Sequence, residues 1–267
     1  MALCGAASAQ SLLGSVVDVI RTGSFASFPT DWTVTVGIEG RASPSYYGSG
    51  NLNIDPVPVF SLRPEGKTAR FRSMRDSPSI ALIHLGGFYA GPTGRFQKAR
   101  KEADHDELRG LGDVDWALEV GFFAEYWATG WFRTRAEVRR GFNGHEGFVA
   151  DLSADFIAPL GDKWSLSGGP RMSLATASAL QPYFGVDVLQ SAASGLPVFD
   201  TKGGLKSVGV GGQLKYQWTQ EWASRVYVEY ERLVGDAGAS PIVTERGSSN
   251  QTTVGVGLTY SFNYKIR

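Results

Sequence analysis

The chain contains one cysteine, Cys4, and three histidines in 267 residues. A single cysteine near one end leaves no disulfide framework and no thiolate metal site. Neither sign of charge is in excess: 26 Lys and Arg stand against 26 Asp and Glu. That balance argues against a nucleic-acid partner, because phosphate binding needs a basic surplus. No run of about 18 apolar residues exists, which excludes a transmembrane helix. It leaves open a membrane β-strand, which needs only about 9–11 residues and is signalled by alternation.

Alternation is what the chain has in abundance. Val254, Val256, Leu258, Tyr260 and Phe262 alternate with Thr253, Gly255, Gly257, Thr259 and Ser261. Trp116, Leu118, Val120 and Phe122 alternate with residues that include Asp115 and Glu119. A period of two means strands. The pattern predicts strands at 32–40, 52–63, 79–90, 114–127, 131–140, 147–159, 164–175, 204–218, 222–234 and 251–262. The fold expected is all-β: a closed antiparallel transmembrane barrel of about 10 strands. The weak segments Thr68–Met74 and Tyr183–Val186 would raise the count to 12.

Ala7-Ser8-Ala9 before Gln10 fits a small-x-small signal cleavage site. Residues 1–9 are then the remnant of a truncated signal peptide. Residues 10–30 are a short periplasmic segment, with a helical pattern from Ser11 to Ile20, and residues 31–267 form the barrel.

The connections alternate in length. Ala128-Thr129-Gly130, Leu160–Lys163 and Thr219–Glu221 are tight turns, whereas 91–113, 176–203 and 235–250 are long and rich in Gly, Ser, Pro and Asp. Counted from a periplasmic start, the tight turns fall inside and the long loops outside, as in outer-membrane barrels. Pro64–Pro78 breaks the rule, being too long for a periplasmic turn.

The two faces differ in chemistry. One carries Val36, Ile38, Phe132, Val138, Phe148, Phe156, Leu166 and Val228. The other carries Glu119, Arg133, Arg135, Glu137 and Arg139, then Asp151, Asp155 and Arg171, and finally Arg225, Glu229 and Glu231. In a soluble barrel the aromatic face would overfill a narrow interior. In a membrane the apolar face meets outer-membrane lipid and the charged face lines the lumen. Arg133, Arg135 and Arg139 would oppose acids on both neighbouring strands. Such a lining could select solutes or form a salt-bridged, mostly blocked lumen. About ten strands leave little bore, which favours the blocked form. Strand 79–90 is apolar on both faces and cannot be oriented.

Several segments resemble the MipA/OmpV family of outer-membrane proteins. They are Pro44-Ser45-Tyr46-Tyr47-Gly48-Ser49, Gly110-Leu111-Gly112-Asp113, Tyr183-Phe184-Gly185-Val186 and Ser194-Gly195-Leu196-Pro197. The most specific is a loop with Arg232, Gly235, Asp236, Ser240, Pro241, Asn250 and Gln251. The resemblance implies residence in the outer membrane of a Gram-negative bacterium. It also implies a scaffold joining an MltA-type lytic transglycosylase to a bifunctional peptidoglycan synthase in cell-wall turnover. The alternative is a narrow channel or uptake barrel for small solutes.

No enzymatic activity and no cofactor are expected. Ser-His chemistry needs a carboxylate-oriented histidine beside a serine. His84 falls in the ambiguous strand, and His145 reads as a solvated turn residue. His105 lies in the acidic run Glu102–Glu107, which is either a hard-cation site or a solvated loop.

Overall fold

The computed structural model describes residues 31–64 and 71–265. The cleavage motif, the 10–30 segment and Thr68–Arg70 lie outside the described residues. The chain divides into two compact units. The larger comprises Thr35–Phe60 and Arg70–Ser261; the smaller comprises Met1–Val34, Ser61–Ala69 and Phe262–Arg267. Within the smaller unit, Thr33 Oγ1 donates to Asn263 Oδ1 at 3.0 Å.

The described residues form one sheet of eleven strands. In chain order these are β1 (Asp31–Pro44), β2 (Leu52–Pro64), β3 (Ile83–Leu85), β4 (Phe88–Gln97), β5 (Ala117–Thr129) and β6 (Phe132–Asn143). There follow β7 (Phe148–Leu160), β8 (Trp164–Thr176), β9 (Gly203–Gln217), β10 (Trp222–Leu233) and β11 (Asn250–Lys265). The order across the sheet is β2-β1-β11-β10-β9-β8-β7-β6-β5-β4-β3. Every pair with a defined register is antiparallel. Among the described residues no strand pairing joins β2 to β3, so the ladder has two ends.

The expected strands are present except one, and the described residues hold eleven strands where about ten, or twelve, are expected. Segment 79–90 is a hairpin. Gly86 and Gly87 take φ of +52° and +88°, a left-handed turn that suits residues without a Cβ. β4 then continues to Gln97, inside a stretch that reads as loop because of Gly91-Pro92-Thr93-Gly94. Pairing with β5, from Phe88↔Tyr126 to Gln97↔Ala117, overrides that local signal. Ser79 only bridges to Thr93, with Ile80 and Leu82 largely exposed. Among the described residues, neither segment offered as an additional strand forms one. Residues 71–74 are irregular, and Tyr183 and Phe184 end a helix.

Burial is inverted relative to a water-soluble sheet. Along β6, Arg133, Arg135, Glu137 and Arg139 are all at most 5% exposed, while Val138 between them is 51% exposed. Phe122, Phe148, Phe156, Leu166 and Val228 are likewise exposed. Water would not leave guanidinium groups buried and phenyl groups outside; lipid around the strands makes the arrangement favourable.

The apolar core lies among the connections instead. Four short helices occur there: α1 (Ala177–Phe184), α2 (Val188–Ser194), α3 (Gly235–Ala239) and α4 (Pro241–Thr244). Two 3-10 turns span Glu102–Asp104 and Asp106–Leu108. Leu180, Tyr183, Phe184, Leu233, Ala237 and Val243 pack into one cluster, and Tyr46, Leu108, Leu111, Val186, Leu196 and Ile242 into another. The three long loops and the β1–β2 connection thus fold into a common cap.

Candidate functional site

The charged face forms a continuous network of ion pairs. Alternation places Arg133, Arg135, Glu137 and Arg139 on one side of β6, and antiparallel register sets them beside acids of β5 and β7. Arg139, 1% exposed, donates from Nε to Glu119 at 2.8 Å and from its two terminal nitrogens to Glu137 and Asp151 at 2.5 Å. Arg135 donates to Glu137 at 2.8 Å and to Glu125 at 3.1 Å. Arg171 of β8 donates to Asp155 of β7 at 2.6 Å. Arg225, Glu229 and Glu231 of β10 are only half-buried. Arg225 pairs with Glu39 of β1 at 2.8 Å, which also accepts from the Tyr227 hydroxyl at 2.7 Å.

Residues 71–79 lie across this face as a strap. Arg133 grips Asp76 with both terminal nitrogens, at 2.8 and 2.7 Å. Arg75, the preceding residue, reaches Glu229 at 2.8 Å, Glu231 at 2.5 Å and Asp151 at 3.2 Å. Ser77 N–H donates to Glu137 at 3.0 Å, while Arg171 donates to Ser73 Oγ at 3.0 Å and Arg135 to Ser79 Oγ at 2.9 Å. Arg95 of β4 donates to the Arg75 carbonyl at 2.6 Å and to Asp151 at 3.1 Å. The connection that is too long for a turn is therefore the covering of the charged face. The cavity left beneath it, lined by Phe71, Met74, Asp155, Arg171, Gln213 and Glu229, holds only about 10 Å³, roughly one water molecule by the same measure.

Sequence reasoning misses Glu39, Arg75, Asp76 and Arg95. Glu39 sits in a strand read only for its opposite, apolar face. Arg95 sits in a strand read as loop, and Arg75 and Asp76 sit in a segment without periodicity. His145 is also a correction. It is buried rather than solvated, with Nε2 3.3 Å from Glu119 Oε1 and its ring against Tyr183. His84 stacks on Tyr89, and His105 lies against Tyr46.

The residues of the family-like motifs pin the cap. Asp236 accepts from the N–H groups of Lys202 and Gly203. Ser240 Oγ donates to the Phe184 carbonyl at 2.6 Å and accepts from Ile242 N–H, with Pro241 opening α4 beside it. Gln251 accepts from Gly48 N–H at 3.1 Å and donates to the Ser49 carbonyl at 3.2 Å. Gly235 makes the turn out of β10 with φ +54°. Arg232 and Asn250 are not loop residues: they are paired at the ends of β10 and β11, both exposed, 3.4 Å apart through Nη1 and Oδ1.

The acidic run Glu102–Glu107 is tied into the cap as well. Glu102 accepts from the N–H groups of Gly110 and Gly112, each at 2.8 Å. These two donors hold its carboxyl below the usual glutamate range. A carboxyl lowered in the folded state stabilises above its unfolded value, and that contribution is lost as pH falls through the folded value. Acidification below the ordinary glutamate range is expected to speed pepsin cleavage of the 98–116 connection. Glu102→Gln should remove that pH dependence; an unchanged profile would show that the carboxylate does not order the loop.

Residues 36–262 match the family described as MltA-interacting protein MipA. No curated protein sequence matches the chain. Among solved structures, the chain is similar to an outer membrane channel from Pseudomonas putida F1, at 11% identity and a TM-score of 0.46, covering 90% of this chain and 98% of that one. The NanC porin gives 7% identity and a TM-score of 0.43 over 86% and 100% of the two chains. The CymD monoaromatic hydrocarbon channel gives 10%, 0.40 and 89% of each. Likenesses this distant do not carry a solute or an activity across.

Proposed function

The chain belongs to the family of MltA-interacting protein MipA, an outer-membrane family, and we propose that it serves there as a non-enzymatic scaffold within a closed, electrostatically sealed barrel. The partners in this reading are a lytic transglycosylase of the MltA type and a bifunctional peptidoglycan synthase. Residues 31–267 form the barrel and residues 10–30 stay on the periplasmic side.

The observation that carries the reading is the strap. A selectivity lining needs charges that face a path, whereas the charges here are spent on one another and on residues 71–79. A sealed interior leaves the surfaces of the barrel as the part able to act. Closure is supported by Lys98, just past β4, whose ammonium lies 2.9 Å from Asp55 of β2. That ion pair joins β2, one end of the ladder, to the residue that follows β4, the strand next to the other end.

Two measurements test the proposal. The tagged full chain, used as bait in detergent-solubilised envelopes, is expected to retain both a lytic transglycosylase and a peptidoglycan synthase. In planar bilayers the unmodified protein is expected to give no conductance steps. Retention of neither enzyme would end the scaffold reading, and steady conductance would end the sealed one.

A further inference from the structure

The strap does more than fill space, because its charges are arranged as those of a bound ligand would be. Arg75 and Asp76 are consecutive residues whose side chains reach opposite clamps. Asp76, its side chain 3% exposed, occupies the two-pronged fork of Arg133, with Arg135 at 3.7 Å. Parallel N–H···O bonds of this kind are the form in which arginine recognises a free carboxylate. The guanidinium of Arg75 occupies a pocket of three carboxylates, Asp151, Glu229 and Glu231. The two clamps belong to the wall strands: the fork comes from β6 and the acidic pocket from β7 and β10.

Removing the strap would leave both clamps intact and oppositely charged, separated by the span of two adjacent residues. Among the described residues, Arg133 Nε is buried without a hydrogen-bond partner. The strap therefore satisfies the terminal nitrogens of the fork and leaves that donor over.

We propose that residues 71–79 are a built-in competitor occupying a binding site for short zwitterionic peptides. Such a ligand carries a carboxylate for Arg133 and a guanidinium or ammonium group for Asp151, Glu229 and Glu231. Its arrival would displace the strap and open the charged face to solvent. This inference does not require the scaffold role, but it rests on the closed, sealed barrel.

The test uses the full chain in planar bilayers and the double variant Arg75→Gln with Asp76→Asn. These substitutions leave polar side chains in place but remove both charges from the strap. The variant is expected to conduct where the parent does not, and the dipeptide Arg-Asp is expected to block that current. The dipeptide should act about tenfold more tightly than N-acetylarginine amide or N-acetylaspartate amide, each of which offers a single charge, because only the dipeptide engages both charge-assisted clamps. A folded variant that stays silent, or one blocked equally by a neutral disaccharide, overturns the proposal. Hydrogen exchange of the 71–79 peptide in the unmodified protein decides the matter should the variant not fold. Added dipeptide is expected to raise that exchange, and unchanged exchange overturns the proposal.

Discussion

Replacing Arg139 by alanine is expected to destabilise the folded protein by about 3–5 kcal/mol, the range found when one member of a buried charge cluster is removed. Arg139 is buried and holds Glu119, Glu137 and Asp151 together. Without it, Glu119 loses its arginine, and Glu137 and Asp151 lose the cation that they share with it. The neighbours Arg95 and Arg135 are already engaged with Asp151 and Glu137 and cannot cover the loss. Urea unfolding in lipid vesicles, followed by tryptophan fluorescence, measures the difference. A loss below about 1 kcal/mol would be that of a surface ion pair and would mean that water fills the space around the network.

Phe122→Arg tests the other face. Phe122 stands near the middle of β5, 73% exposed and opposite Pro92 and Val138 in register. On a wet surface such a change falls within about 0.5 kcal/mol. At the midplane of a bilayer it costs about 2–4 kcal/mol. The larger value is expected in the same unfolding assay, with Glu146→Arg, in an exposed turn, as the control near zero. A neutral Phe122→Arg would show that the exposed apolar face does not meet lipid.

The strands were legible because alternation of charged and apolar residues survives any register. Arg133 to Arg139 announce an inward face, and their antiparallel partners follow from the short connections at 130 and 144–147. The pairing of Arg225 was not legible, since its partner Glu39 belongs to β1, which β11 separates from β10 in the sheet. The strap was hidden for a different reason. Residues 71–79 have no repeating pattern, because their side chains reach several strands rather than one, so periodicity has nothing to detect. β4 was hidden by Gly91 and Pro92, whose local turn propensity is overruled by ten consecutive pairs with β5. The cap motifs could be noticed in the sequence but not interpreted. Asp236 and Gln251 act on backbone groups 33 and 203 residues away, which spacing along the chain does not reveal.

The cap also bears on the order of events as the chain folds. Its two apolar clusters draw on residues near 46, 110, 184 and 242, separated by most of the length of the chain. None of these contacts can form until the strands between them are in register, since closing such long loops earlier carries an entropic cost with little return. Cap assembly is thus a late step that completes only when every intervening hairpin is correct. A slipped strand would leave Tyr46, Leu108 and Ile242 unpacked at the surface, where proteases act first, so the cap serves as the molecule's own inspection of its assembly.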